Sequence, residues 1–248
     1  MKLALIADVH ANLEGLRACL EHAETQGVER HAFLGDLVGY GADPGPVVDL
    51  VRSHVERGAL VVKGNHDEAA VAGESDSMHK AAERAIGWTR EHLSGEQRAF
   101  LAALPLVVRE GGMLLVHASP EAPREWVYVT DPARAAAGLA AAVPATWVFC
   151  GHVHEPVLYT QGVASRPVAF RPVPGVSIPV PAHRRWLAVI GSAGQPRDGN
   201  TAACYAMLDT DRPALTFHRV PYDWRTAAAK VRRAGLPESL ARRLERGE

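Results

Sequence analysis

A chain of 248 residues with 47% hydrophobic composition can bury a substantial core, and 27 basic against 28 acidic residues leave a formal net charge of −1 and no global field. That balance disfavours a protein whose main business is coating nucleic acid or an anionic membrane, and the three scattered cysteines, Cys19, Cys150 and Cys204, form no Cys-x-x-Cys pair, which argues against a disulfide framework and a thiolate zinc site. Twelve histidines beside five each of Phe, Tyr and Trp hint at metal instead. The apolar run Leu3 to Ala7 is too short for a signal peptide or a membrane span, so a single cytoplasmic domain over 1–248, with no membrane partner and no strong nucleic-acid footprint, is expected.

Lys2 to Ala7 reads as a strand buried on both faces and ends at Asp8-Val9-His10. Asn12 then caps a helix with Leu13, Leu16 and Leu20 on one face and Gly27 as its stop. The same unit recurs: His31 to Leu34 runs into Gly35-Asp36, Pro44 to Arg57 is a helix, and Ala59 to Lys63 is a strand leading into Gly64-Asn65-His66-Asp67. Three such βα repeats predict an α/β fold with a parallel sheet and a site at its carboxyl edge. A helical insertion is predicted around 75–103, with Met78, Ala81, Ala85, Trp88 and His92 on one face, placed to roof that site.

Further along, Glu110-Gly111-Gly112 signals a hairpin between Leu104 to Val108 and Met113 to Val116, which delivers His117. Ala133 to Val143 is helical, and Trp147 to Cys150 is a strand that ends at Gly151-His152-Val153-His154. After Val157 come short β runs broken by prolines, which mark edge strands, then strands over Leu187 to Ile190, Ala202 to Leu208 and Ala214 to Val220, and a helical tail from about 222 whose arginines read as a solvated face.

Asp8, His10, Asp36, Asn65, His66, Asp67, His117, His152 and His154 thus each follow an apolar run. An apolar scaffold has no reason to gather unpaired carboxylates and imidazoles except around a cation. In order and type these motifs, Asp-x-His, Gly-Asp, Gly-Asn-His-Asp, a lone His and Gly-His-x-His, resemble those of the calcineurin-like metallophosphoesterase superfamily, prokaryotic phosphodiesterase branch. The loop Gly191 to Gly199 extends the resemblance, although Val189-Ile190 stand where relatives usually carry Asn-Pro.

The resemblance implies a four-layer αββα sandwich of two mixed sheets flanked by helices. It implies two divalent or transition metal ions, one held by Asp8, His10 and His154, the other by Asn65, His117 and His152, with Asp36 bridging. The glycine before Asp36 allows a sharp turn, Gly151 would serve His152 and His154 similarly, and those two histidines, two apart on an extended segment, would point the same way. A mixed imidazole, carboxylate and amide set suits Mn, Fe, Zn or Ni better than Mg or Ca. A pair of metals about 3.5 to 4 Å apart would turn a shared water into a bridging hydroxide that attacks a small phosphoester substrate. His66 would protonate the leaving group, with Asp67 orienting it and raising its pKa, while Asn12, Tyr40 and Arg197 would bind substrate and Arg124, Trp126 and Tyr128 form another candidate wall. The expected activity is that of a phosphodiesterase; a phosphomonoesterase, protein phosphatase or dinucleoside polyphosphatase, or a nucleotide-sensing binder of the same fold, are the alternatives.

Overall fold

The computed structural model describes residues 1–73, 79–162 and 165–248. Strands β1 (Lys2–Ile6), β2 (Arg30–Phe33) and β3 (Leu60–Val61) run parallel, and β9 (Ser177–Pro179), β11 (Ala203–Asp209) and β12 (Ala214–Val220) complete a six-stranded sheet in the order β3-β2-β1-β11-β12-β9. The second sheet, β4-β5-β6-β10-β7-β8, is built from β4 (Val107–Glu110), β5 (Met113–Val116), β6 (Trp147–Cys150), β7 (Val157–Gln161), β8 (Val168–Phe170) and β10 (Arg185–Val189). Both sheets are mixed, because β11 joins β1 antiparallel and β7 joins β10 antiparallel while the strands beside them are parallel.

Strand parity explains why the apolar runs show no alternation. In β1 and the residue after it, Leu3, Leu5 and Ala7 enter the core between the sheets, while Ala4 and Ile6 face α1 (Leu13–Thr25) and α2 (Pro44–Glu56). In β5, Met113 and Leu115 meet them from the other side, and Leu114 and Val116 turn outward to α6 (Pro132–Ala141). Helix, sheet, sheet and helix therefore stack as the expected αββα sandwich. The proline-broken strands β8 and β9 do lie at sheet edges.

Some elements differ from the sequence reading. Gly64-Asn65-His66-Asp67 is not a strand-end loop but the start of α3 (Asn65–Ala72), with Gly64 at the N-cap. Residues 75–78 of the expected insertion, Met78 among them, lie outside the described residues; helices α4 (Lys80–His92) and α5 (Gly95–Ala103) follow. The buried face of α4 is Ala82, Ala85, Ile86 and Thr89, displaced from the predicted one, since His92 is exposed and stacks on Trp88 at 3.8 Å. The tail forms a hairpin of α7 (Trp224–Arg233) and α8 (Glu238–Arg246), and its Ala228, Val231, Leu240 and Leu244 bury a small core together with Ala85.

Candidate metal centre

All five polar loops meet where the carboxyl ends of the two parallel strand sets converge. Among the described residues, eight non-glycine residues have positive φ, namely Asp8, His10, Ala11, Asp36, Tyr40, Trp126, His152 and His154, and all lie in these loops. The left-handed region costs an L-residue about 1–2 kcal/mol. Neighbouring backbone overrides that preference: Asp8 N donates to Gly35 O at 3.1 Å, His10 N to Asp36 O at 2.8 Å and Ala11 N to Leu37 O at 2.8 Å, which sews the loops after β1 and β2 together. His152 and His154, expected on an extended segment, have φ of +69° and +67°. The extended expectation fails because Gly151 and His152 bend back to bond the loops beside them, His152 N reaching Asp8 Oδ2 at 2.9 Å.

Two glycines are required by close approach to the carboxylates. A Cβ on Gly64 would lie 2.1 Å from Asp36 Oδ1, and one on Gly151 would lie 2.4 Å from Asp8 Oδ2. Backbone donors thereby reach the carboxylates: His66 N bonds Asp36 Oδ1 at 2.9 Å. Asp36 Oδ2 is left facing two nests of donors.

In the first nest His10 Nε2 and His154 Nε2 are 3.0 Å apart, and Asp8 Oδ1 is 3.3 Å from His154 Nε2. In the second, His117 Nε2 lies 3.1 Å from His152 Nδ1 and 3.2 Å from Asn65 Oδ1. Asp36 Oδ2 lies between them, 3.6 Å from His10 Nε2 and 3.3 Å from His117 Nε2. All of these side chains except that of Asn65 are buried.

The outer ring nitrogens decide what such a cluster can hold. His10 Nδ1 faces Val38 O at 3.3 Å, His117 Nδ1 faces Leu34 O at 2.8 Å, His154 Nδ1 faces Gln195 O at 2.6 Å and His152 Nε2 faces Trp126 O at 2.9 Å. A carbonyl only accepts, so each outer nitrogen carries the hydrogen and each inner nitrogen of a neutral ring presents a lone pair. Burial keeps three of the rings neutral, pushing His152 down to about 3 and His10 and His154 well below the usual histidine range. At His117 burial also works downward, but the Asp36 carboxylate overcomes it and lifts the ring to about 9. Asp8 is pushed up to about 8 by burial and by the charge of Asp36. Lone pairs and carboxylate oxygens crowded to about 3 Å fit cations in both nests, and in the second a cation would take the place of the proton that the Asp36 carboxylate holds on His117 Nε2.

The remaining expected residues divide. Tyr40 and Arg197 line the cleft over the nests, and Tyr40 packs its ring 4.5 Å from His10 and 4.4 Å from His66. Arg197 Nη2 reaches Gln195 Oε1 at 3.2 Å, while its buried Nε has no partner. Trp126 and Tyr128 also line the cleft, whereas Arg124 is exposed and pairs with Glu68 at 2.8 Å.

Asn12 is a correction: it is 3% exposed, its Oδ1 caps Gly15 N at 3.0 Å, and its Nδ2 donates to Gly194 O at 2.8 Å and Tyr222 Oη at 3.0 Å, leaving no donor for substrate. Asp67 is another. Its Oδ1 accepts from Leu37 N at 2.8 Å and Val38 N at 3.2 Å and its Oδ2 from Gly64 N at 2.9 Å, so it clamps the loop after β2 to the start of α3 rather than orienting His66. His66 Nδ1 is buried with no hydrogen-bond partner, and burial lowers the His66 pKa rather than raising it. Glu68, Glu125 and His79 join the cleft wall unforeseen, for no local pattern marks a surface residue that only packing brings to a cleft.

Residues 1–213 match the calcineurin-like phosphoesterase superfamily domain. The chain belongs to that superfamily. It is 34% identical to an uncharacterised protein of Methanocaldococcus jannaschii over 98% of this chain and 96% of the relative. It is also similar to a metallophosphoesterase from Sphaerobacter thermophilus, with 36% identity and a TM-score of 0.87 over 100% of this chain and 99% of the other. A hypothetical protein from Pyrococcus horikoshii shares the fold at 18% identity, with a TM-score of 0.79 over 100% and 98% of the two chains. As a member of this metal-dependent superfamily the chain is a phosphoester hydrolase, and its His and Asp clusters are the groups able to bind the metal. No described helix is long and apolar enough to cross a membrane.

Proposed function

We propose that this chain is a phosphodiesterase with two cation sites, one at Asp8, His10 and His154 and one at Asn65, His117 and His152, with Asp36 shared. Cations bound there would supply Lewis acidity toward the phosphoryl oxygens and acidify water, and the mixed donors suit Mn, Fe, Zn or Ni. The observation that carries the diester reading is the charge of the cleft. Among its described lining residues Arg197 is the one Lys or Arg, set against Glu125 and Asp36 and against Glu68, whose charge Arg124 offsets from outside the lining. A monoester dianion or a polyphosphate chain gains most from several cationic side chains, whereas a diester monoanion needs fewer.

The roles of the chain's own groups follow. Arg197, which lines the cleft, would hold a non-bridging phosphate oxygen through its planar fork. His66, which lines the cleft beside Tyr40, donates the proton to the departing alkoxide. Burial disfavours its charged form, and the negative charge of a bound phosphoester works in the opposite direction. Asp67 serves this chemistry by fixing the backbone on which Asp36 and His66 stand.

Mn-loaded protein assayed on bis(4-nitrophenyl) phosphate and on 4-nitrophenyl phosphate is expected to show the higher kcat/KM for the diester. Dominant monoesterase activity with each of Mn, Fe, Zn and Ni would overturn the diester reading.

A further inference from the structure

The cleft of about 550 Å³ over the metal centre is roomier than one phosphate requires, and its wall beyond Arg197 has a definite character. Tyr128 stacks on His152, with ring centroids 3.9 Å apart and an interplanar angle of 18°. His152 covers one face of the ring, and with 50% of the residue still exposed the ring keeps free surface beside the cleft that it lines. Ala69, Ala72 and Ala82, small apolar side chains from α3 and α4, take up little of the remaining space.

This ring is held in place before any ligand arrives. Two residues back, Trp126 sits at φ +52° with its carbonyl accepting from His152 Nε2 at 2.9 Å. One residue on, Val129 is 2% exposed in the core under the second sheet. The segment is pinned on both sides of Tyr128, so docking against the ring costs little ordering entropy. A half-exposed aromatic on a fixed backbone offers a flat surface on which a planar group can stack.

We infer that Tyr128 is a stacking platform for a planar aromatic group, aryl or nucleobase, carried by the phosphodiester, so that the substrates are monoanionic diesters with such a group near the phosphate. The inference rests on the phosphoesterase reading of the metal centre and adds the identity of the organic part. The same wall disfavours a second phosphate, since besides Arg197 and Asp36 its charged groups are Glu125 and Glu68, the latter already paired with Arg124.

The test uses two monoanions that differ only in the ring, methyl phenylphosphonate and methyl methylphosphonate, titrated calorimetrically into Mn-loaded wild-type protein, Tyr128→Phe and Tyr128→Leu. One aromatic stack is worth about tenfold in affinity, so wild type should prefer the phenyl ligand by about that factor. Tyr128→Phe should keep the preference within about twofold. Tyr128→Leu, which keeps apolar bulk but not the flat face, should cut below about threefold the ratio of the two Kd values measured on that variant, a ratio in which any effect passed to both ligands through His152 cancels. A phenyl preference that survives in Tyr128→Leu, or is missing from wild type that binds methyl methylphosphonate, overturns the platform alone. Failure of wild type to bind either phosphonate overturns the phosphodiesterase reading and the platform with it.

Discussion

The strand-end loops line the cleft and the α7–α8 hairpin packs against their Tyr40 from behind, yet the two are built by opposite means. In the loops the backbone is forced into left-handed conformations, two glycines are demanded by contacts with carboxylates, and Asp8, Asp36 and Asp67 are each held by main-chain N–H groups. In the hairpin the helices are ordinary, Ala228, Val231, Leu240 and Leu244 bury an apolar seam on which Tyr40 and Ala42 also pack, and the polar contacts are made by side-chain tips. Lys230 Nζ bonds Glu14 at 2.5 Å and Asp43 at 2.8 Å, Tyr222 Oη accepts from Asn12, and the Arg243 guanidinium lies 6.0 Å from the Tyr40 ring centroid. The superfamily match ends at residue 213, before this hairpin begins. The difference teaches that the reacting groups stand on strained backbone with no slack, while the tail supports them through replaceable contacts.

The most damaging way to probe that contrast is Gly64→Ala. Its new Cβ would lie 2.1 Å from Asp36 Oδ1 and 2.2 Å from Asp36 N, so the shared carboxylate must move. Metal per chain, read by elemental analysis, should fall below one, with hydrolysis at background. Full metal content with near-wild-type activity would show that the loops tolerate displacement and would erase the contrast.

Next in size is a change of chemistry without a change of scaffold. Metal-loaded His66→Ala is expected to lose about 10² to 10⁴ in rate on an alkyl diester, whose alkoxide needs a proton to leave, and markedly less on a nitrophenyl diester. Equal losses on the two substrates, with metals retained, would make His66 a phosphate-positioning group instead of the acid.

The smallest effect belongs to the hairpin. Lys230→Met leaves Glu14 and Asp43 without their shared cation; the lysine is 25% exposed, so solvent screening limits the cost to about 1 kcal/mol, or roughly 2–4 °C in Tm. Activity of the metal-loaded variant should drop no more than about threefold, because Tyr40 keeps its contacts with His10 and His66. A loss of a hundredfold would place the hairpin with the site loops rather than beneath them.

Sequence alone determined the order of the elements other than α3 and the inventory of polar groups. Continuous apolar runs such as Leu3 to Ala7 mark strands covered on both faces, and a carboxylate, amide or imidazole just beyond each run marks a shared carboxyl edge, because these are local patterns of side-chain type. Tertiary structure decided which atoms face which. The left-handed turns at His152 and His154, the clamp made by Asp67, the carbonyls of Leu34, Val38, Trp126 and Gln195 that set the imidazole tautomers, and the withdrawal of Asn12 into hydrogen bonds with Gly15, Gly194 and Tyr222 depend on loops brought together from distant parts of the chain. Those contacts use main-chain N–H and C=O groups that almost every residue carries, so no residue type announces them, and only the register of the two packed sheets selects the ones that meet.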